Sequence, residues 1–198
     1  ERILKLLKAG LVLPPWKDKS EGRGVGGGYA QSGLGLGPSL VLLMVDYTKL
    51  LHHGTLELIE QAKKCQQELR FTDAESIDKF RYYQAVIMAF EAINTLAERY
   101  SRLAAEMAES ETDTVRKSEL KMISEICSRV PKYPASTFRE AIQCFWFQFL
   151  MLSPSTTLPG GRFDQYMYPY YEADLKEGRI TREEAVELLC CMRLKDME

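Results

Sequence analysis

The sequence predicts a mostly α-helical protein. Two observations carry that expectation. Beyond residue 40, apolar residues recur at a spacing of about 3.6 and almost never at the strand spacing of two. Three Thr-x-x-Glu steps, at Thr72 and Glu75, Thr137 and Glu140, and Thr181 and Glu184, stand ahead of such runs, where they can cap the first turn of a helix.

Taken in order, "ERILKLLKA" at residues 1–9 reads as a short amphipathic helix ended by Gly10, and Pro14-Pro15-Trp16 then forces extended chain. Residues 1–20 are assigned to this helix and extended segment. Residues 21–39 hold eight of the thirteen glycines and are expected to form a mobile loop. The remainder, 40–198, is read as helical. "DYTKLLHH" is closed by Gly54, and a helix follows at 55–69. Val86, Phe90, Ile93, Ala97, Tyr100, Ala104 and Met107 form the stripe of a long helix from about 76 to 108. Further helices are expected at 113–129, stopping before Pro131, at 138–152 and after Thr181.

The helix at 138–152 has almost no polar side, because Phe145, Trp146, Phe147, Phe149, Leu150, Met151 and Leu152 follow one another closely. A helix that is apolar all round has to be covered all round. The chain begins at Glu1, and its last helical pattern runs on to Glu198 without a closing Gly or Pro, so the expectation is a part of a larger body.

Composition removes several function classes. With 45% hydrophobic and 27% charged residues the chain reads as a soluble globular protein, and 26 basic against 28 acidic residues leave no basic face for nucleic acid. Its most apolar stretch, "CFWFQFLML", is about half of the ~20 residues a membrane span needs, so no membrane partner is expected. Five cysteines without a Cys-x-x-Cys step argue against a zinc site or disulfide framework and for a reducing cytoplasm.

Candidate chemistry is sparse. Gly22-x-Gly24-x-x-Gly27 fits the dinucleotide pattern, but neither a preceding strand nor a following Lys-Ser/Thr supports it, and flexible coil is the better reading. His52 and His53 point about 100° apart on a helix and cannot share a metal there. "ADLKEGRITREE" places Ala173 and Leu175 where a calcium loop needs carboxylates, so it reads as a helix, a glycine stop and a threonine cap. No catalytic residue and no metal ligand is assigned. Cys190-Cys191 reads as half-buried helix packing.

The stretch "GGRFDQYMYPYYEADLKEG" at 160–178 carries the strongest signal. Phe163, Met167 and Tyr170, with Tyr166 and Ala173 beside them, make the apolar face of a helix that tolerates Pro169 only in its first turn or as a kink. Packing leaves Gly160-Gly161-Arg162 and Asp164-Gln165 unexplained. Arg162, Asp164 and Gln165 are the candidate site residues, a polar network that sets the start of the aromatic helix against a site; a solvated arginine and a capping aspartate are the alternative.

This stretch, continued as "GRITREEAVELL", resembles the Gly-Arg-x-Asp-Gln…Pro-Tyr-Tyr…Asp…Gly-x-Ile-Thr-x-Glu-Glu-Ala segment of the glycyl radical enzymes, in their pyruvate formate-lyase-like domain. The resemblance continues backward in order through "FREAIQCFWF", "RKSELKMISEICSRVPKYPASTF", "ERYSRLAAEMA", "MVDYTKLLHHG" and "LPPWKDKS". The Arg-Phe-Asp-Gln-Tyr form is similar to the dehydratase and decarboxylase branch, with its glycerol, choline and hydroxyproline eliminases.

The resemblance implies the helical N-terminal portion of a ten-stranded α/β barrel, incomplete over 40–198. It implies a radical lyase or dehydratase acting on a small polar substrate such as a diol or amino alcohol, inactive as this chain alone. The family's cofactor is a protein glycyl radical, installed by a radical-SAM activating enzyme, which generates a cysteine thiyl; neither radical-bearing motif is found in this chain, and no cofactor is assigned to it. Implied partners are the remainder of the polypeptide, the activating enzyme and a second copy in a homodimer. Some family positions differ: Val41-Leu42 stands for a Gly-His, Val45 for a proline, and "SPSTTLPGGR" lacks the acid and amide often found there. A helical scaffold or interaction module that kept the packing and lost the chemistry therefore stays open.

Overall fold

A computed structural model describes residues 45–70, 74–152 and 160–195. These residues form six helices, α1 (Tyr47–Gln67), α2 (Ala74–Ser110), α3 (Thr114–Arg129), α4 (Phe138–Leu152), α5 (Phe163–Lys176) and α6 (Arg182–Lys195), with no strand among the described residues. The described residues from 46 to 148 and from 162 to 195 make one compact unit; Val45, the last turn of α4 and Gly160-Gly161 fall outside it. The expected helix at 1–9, the glycine-rich loop at 21–39, Thr72 and the "SPSTTLP" segment lie outside the described residues.

The helices α2, α3 and α4 begin and end within about two residues of the positions expected from periodicity. At 37 residues, α2 is about 55 Å long and runs alongside α3. Their short connection is closed by side chains: the Glu111 carboxylate accepts from the Thr112 and Asp113 N–H groups, and Asp113 Oδ1 accepts from Val115 N at 2.9 Å. Where the two helices meet, Ser101 and Ser124 each donate a hydroxyl to the other's backbone carbonyl, at 2.8 and 2.9 Å. Ile93, Ala97, Cys127 and Phe147 form a buried cluster from α2, α3 and α4, with Phe90, Leu96 and Ile123 packed against it. Burying a side chain such as Phe147 contributes about 1.5–3 kcal/mol.

The expected stripe on α2 is buried only in part. Ile93, Ala97 and Ala104 are enclosed, and Ala108 joins them, whereas Tyr100 and Met107 are exposed at 45% and 46%. The buried set is spaced by four and seven residues, which keeps it in line with the narrow, small-residue seam that faces α3; Tyr100 and Met107 fall beside that line.

Gly54 closes the first segment of α1, as expected from its place after "DYTKLLHH", and a second segment follows. Its φ of 69° and ψ of 165° split the helix into two segments. The connection between α3 and α4 fills the break: Thr55 N donates to Pro131 O at 2.8 Å, Leu56 N to Lys132 O at 3.1 Å, and Ala135 N to Leu51 O at 3.0 Å. Backbone groups orphaned by the broken helix are thus satisfied from another part of the chain. A Cβ at Gly54 would lie 2.5 Å from Lys132 O and 2.6 Å from the Tyr133 carbonyl carbon, so only glycine allows this approach. The buried Thr55 hydroxyl also donates to Asn94 Oδ1 at 2.6 Å, and Lys132 pairs with Glu98, which ties α2 to the same node.

Pro169 is the seventh residue of α5, beyond its first turn, so of the two expected placements the first-turn one is not adopted. Pro169 and Gln165 are both exposed, so the carbonyl left without its usual donor can face water. At α4 the capping box forms only in half. Thr137 Oγ1 accepts from Glu140 N at 3.2 Å, but the Glu140 carboxylate reaches Ser136, taking its N–H and hydroxyl at 2.7 and 2.9 Å, and pairs with Arg129. The arginine across the α3–α4 connection draws the carboxylate away from Thr137. The box at α6 is complete, with Thr181 N donating to Glu184 at 2.8 Å and Glu184 N to Thr181 Oγ1 at 3.1 Å.

Candidate functional site

The start of α5 follows Gly161, whose φ is 60°, and Arg162 is its N-cap residue. Arg162 donates through Nε to Asp164 Oδ1 at 3.0 Å and through a terminal nitrogen to Oδ2 at 2.8 Å, a two-point contact that matches guanidinium and carboxylate geometry. The pair holds the Asp164 carboxyl below its usual range, chiefly through the hydrogen bond from Arg162, and raises the guanidinium in turn. Gln165 joins through its backbone N–H, which donates to Arg162 O at 2.9 Å. Both charged side chains are about two-thirds exposed in this chain. The structure therefore brings Arg162 and Asp164 together on the surface of the α5 N-terminus.

Behind this surface lies an aromatic junction of α1, α4 and α5. The Tyr47 ring is 4.7 Å from Phe145 and 5.3 Å from Tyr166, and Phe163 meets Phe145 edge-on at 5.2 Å. Such offset and edge-on pairs follow from the ring quadrupole and each add about 0.5–1.5 kcal/mol beyond burial. Burial pushes the Tyr47 and Tyr170 hydroxyls up to about 12, and raises Tyr166 as well. The expected apolar face of α5 is present, with Met167 buried and Phe163, Tyr166, Tyr170 and Ala173 half-buried.

Asp174 figures in the sequence only as the Asp of the family segment, with no role assigned to it. It is 3% exposed on that same face and accepts from Phe138 N at 2.7 Å, capping α4 from a different helix. Arg179 neutralises it, with Nε and a terminal nitrogen 2.8 and 2.7 Å from Oδ1. The turn that allows this is a Schellman motif: Gly178, at φ 67°, donates to Leu175 O and Arg179 N donates to Asp174 O. A signal was available, since an aspartate seven residues after Met167 and four after Tyr170 falls on the apolar face and has to find partners there.

The remaining candidates are dispersed. His52 is exposed, its ring 6.4 Å from Tyr170, and His53 contacts Glu57 at 2.8 Å. Cys127 and Cys144 are buried thiols pushed up to about 11 and 12 by burial, with Glu140 adding to the effect at Cys144. Cys65, Cys190 and Cys191 are exposed, which corrects the half-buried packing expected for the last two: neither neighbour reaches the covered face of α6, where Ala185 is buried. Among the described residues there is no group of three His, Cys, Asp or Glu placed to hold a metal ion. No helix among them is long and apolar enough to cross a membrane.

Relatives combine these same elements. The sequence pattern described as "Pyruvate formate lyase-like" matches residues 30–198. The isethionate sulfite-lyase of Nitratidesulfovibrio vulgaris is 41% identical over 152 residues, 74% of this chain and 18% of its own length. A structure concerned with 1,2-propanediol dehydration in Roseburia inulinivorans superimposes with a TM-score of 0.73 at 42% identity, over 76% of this chain and 19% of the other. A glycyl radical enzyme from Archaeoglobus fulgidus superimposes with a TM-score of 0.68 at 36% identity, over 74% and 19%. The chain thus spans about a fifth of the length of the relatives it matches. Its helices are those of part of a glycyl radical enzyme barrel, and the chain belongs to the pyruvate formate lyase-like family of glycyl radical enzymes.

Proposed function

We propose that this chain is the helical N-terminal portion of a glycyl radical lyase or dehydratase acting on a small polar substrate such as a diol or amino alcohol, and that it has no turnover by itself. The observation that carries the reading is the collinear likeness of α1 to α6 to relatives that cleave isethionate or dehydrate a diol, over a fifth of their length. In such a protein a backbone glycyl radical, installed by a radical-SAM activating enzyme, supplies hydrogen abstraction through a cysteine thiyl. The residues of this chain do other work. The Arg162–Asp164 pair, with Gln165 following, sets the first turn of α5, and the aromatic junction and Asp174 hold α5 against α1 and α4. The pair thereby supports a helix that the rest of the barrel packs against.

A scaffold that kept this packing without the chemistry is the second reading, favoured by Val41-Leu42 and Val45 standing where the family resemblance implies a Gly-His and a proline. The test is turnover. The complete polypeptide, activated anaerobically, is offered 1,2-propanediol, glycerol, choline and isethionate in turn, and product is followed by NMR. Conversion of one of these supports the enzyme. A correctly folded protein that converts none after the same treatment, from a reading frame lacking downstream cysteine and glycine loops, supports the scaffold.

A further inference from the structure

Helix α2 carries a second apolar line beside the seam that faces α3. In its first half the line is small, with Ala85, Ala89 and Ala92 exposed. In its second half it is large, with Leu96 half-buried and Tyr100 and Leu103 exposed at 45% and 50%. Tyr82 and Met107, exposed at 65% and 46%, close its two ends. Successive residues on the line are three or four apart, so they share one face over ~38 Å of helix, and no charged residue interrupts it. An apolar stripe of that length and spacing is a surface for another helix.

We propose that this face of α2 is an interface between two copies of the complete polypeptide, packed antiparallel about a two-fold axis between Asn94 and Thr95. The order of the side-chain sizes points to a second copy. About that axis Ala85 lies opposite Leu103 of the other copy, Ala89 opposite Tyr100 and Ala92 opposite Leu96, so each small residue receives a large one, and Tyr82 meets Met107 at either end. The charges agree. Arg81 and Glu106 are exposed on the same flank of the line, one near each end, and the same axis brings Arg81 of each copy beside Glu106 of the other, twice in the dimer. Within the chain Arg81 is 74% exposed, and its contact with Asp78 is a loose one at 3.8 Å. A parallel pair would instead set alanine against alanine and Arg81 against Arg81, which repel. The inference is drawn from α2 alone and holds whether the complete protein is an enzyme or a scaffold.

The experiment is sedimentation equilibrium on the complete polypeptide, unsubstituted and as Arg81→Glu, Glu106→Arg, the two together, and Ala89→Glu, with circular dichroism to check the fold of each. The unsubstituted protein should be a dimer. Either single reversal replaces two ion pairs by two like-charge pairs and should raise the dissociation constant about tenfold. The double variant restores opposite charges and should recover the dimer, and Ala89→Glu, which places a carboxylate against Tyr100 of the other copy, should be a folded monomer. A monomeric unsubstituted protein overturns the proposal, as does a dimer whose dissociation constant the reversals leave unchanged or a double variant no tighter than the singles. Unfolding of Ala89→Glu also overturns it, because the remainder of the same polypeptide would then be what covers the face.

Discussion

The Asp174 carboxylate, on α5, accepts the backbone N–H of Phe138, the first residue of α4, at 2.7 Å. One buried side chain therefore caps a helix other than its own and is neutralised by Arg179 just beyond a left-handed glycine turn, while the same residue's backbone carbonyl accepts from Arg179 N to close α5. The carboxylate is 4% exposed and the guanidinium 40%, so the pair is neither a surface ion pair nor a fully desolvated one.

Asp174→Ala removes a charged acceptor from a helix terminus and should destabilise the protein by about 2–4 kcal/mol. Arg179→Ala strands the buried carboxylate and should cost a similar amount. In a double-mutant cycle by urea unfolding, the two losses should be far from additive. Additive losses would mean that Arg179 does not stabilise Asp174.

Gly54→Ala should be among the most damaging substitutions in the described chain. The new Cβ meets backbone atoms at 2.5 and 2.6 Å, which cannot swing aside, and a positive φ is strained for alanine. A loss of about 3 kcal/mol or more is expected from strain and overpacking together. Gly178→Ala, with a similar φ but open space around it, should cost clearly less. Comparable losses at the two sites would mean that the α3–α4 connection does not occupy the break in α1.

Two classes of thiol should be separable. At pH 8 a thiol reagent should modify Cys65, Cys190 and Cys191 quickly, and Cys127 and Cys144 only after unfolding. The same burial sets an alkaline limit. In unfolded chain these thiols titrate near ~8.5, and in the folded protein near 11 and 12, so between those values the unfolded state has released protons that the folded state retains. Their contribution to stability is complete below about pH 8.5 and is lost as pH rises toward the folded values. Tyr47 and Tyr170, raised to about 12, add to the loss above ~10. The urea midpoint should fall steadily between pH 8.5 and 11; a flat profile would contradict the burial of both cysteines.

Ser101→Leu should drive α2 and α3 apart, because the serine pair marks a close approach between the two backbones. Overpacking of this kind costs about 1–3 kcal/mol. Ser101→Ala, which only removes a hydroxyl, should cost about 1 kcal/mol by thermal unfolding. Equal effects would mean that the crossing is not tight.

The contrast between Thr181 and Asp174 shows what was legible beforehand. Thr181 and Glu184 are three residues apart, and their reciprocal bonds are local, so the sequence pattern alone announces them. The aromatic face of α5 was legible for the same reason, because helical spacing aligns Phe163, Met167 and Tyr170. Asp174 meets Phe138 across 36 residues, and Thr55 meets Asn94 and Pro131 across 39 and 76. No local spacing encodes such encounters; they depend on how helices already formed are set against one another. The Arg162–Asp164 contact was expected from two opposite charges two residues apart, whereas its exposure depends on what else packs there.

Electron paramagnetic resonance on the complete polypeptide, treated anaerobically with a radical-SAM activating enzyme, tests the central claim most directly. The account predicts a protein radical with a doublet splitting from one α-hydrogen, lost on α-deuteration of glycine, and no such signal when the 198-residue chain is treated alone. A complete, folded protein that never develops the radical, or a 198-residue chain that develops it unaided, would contradict the account.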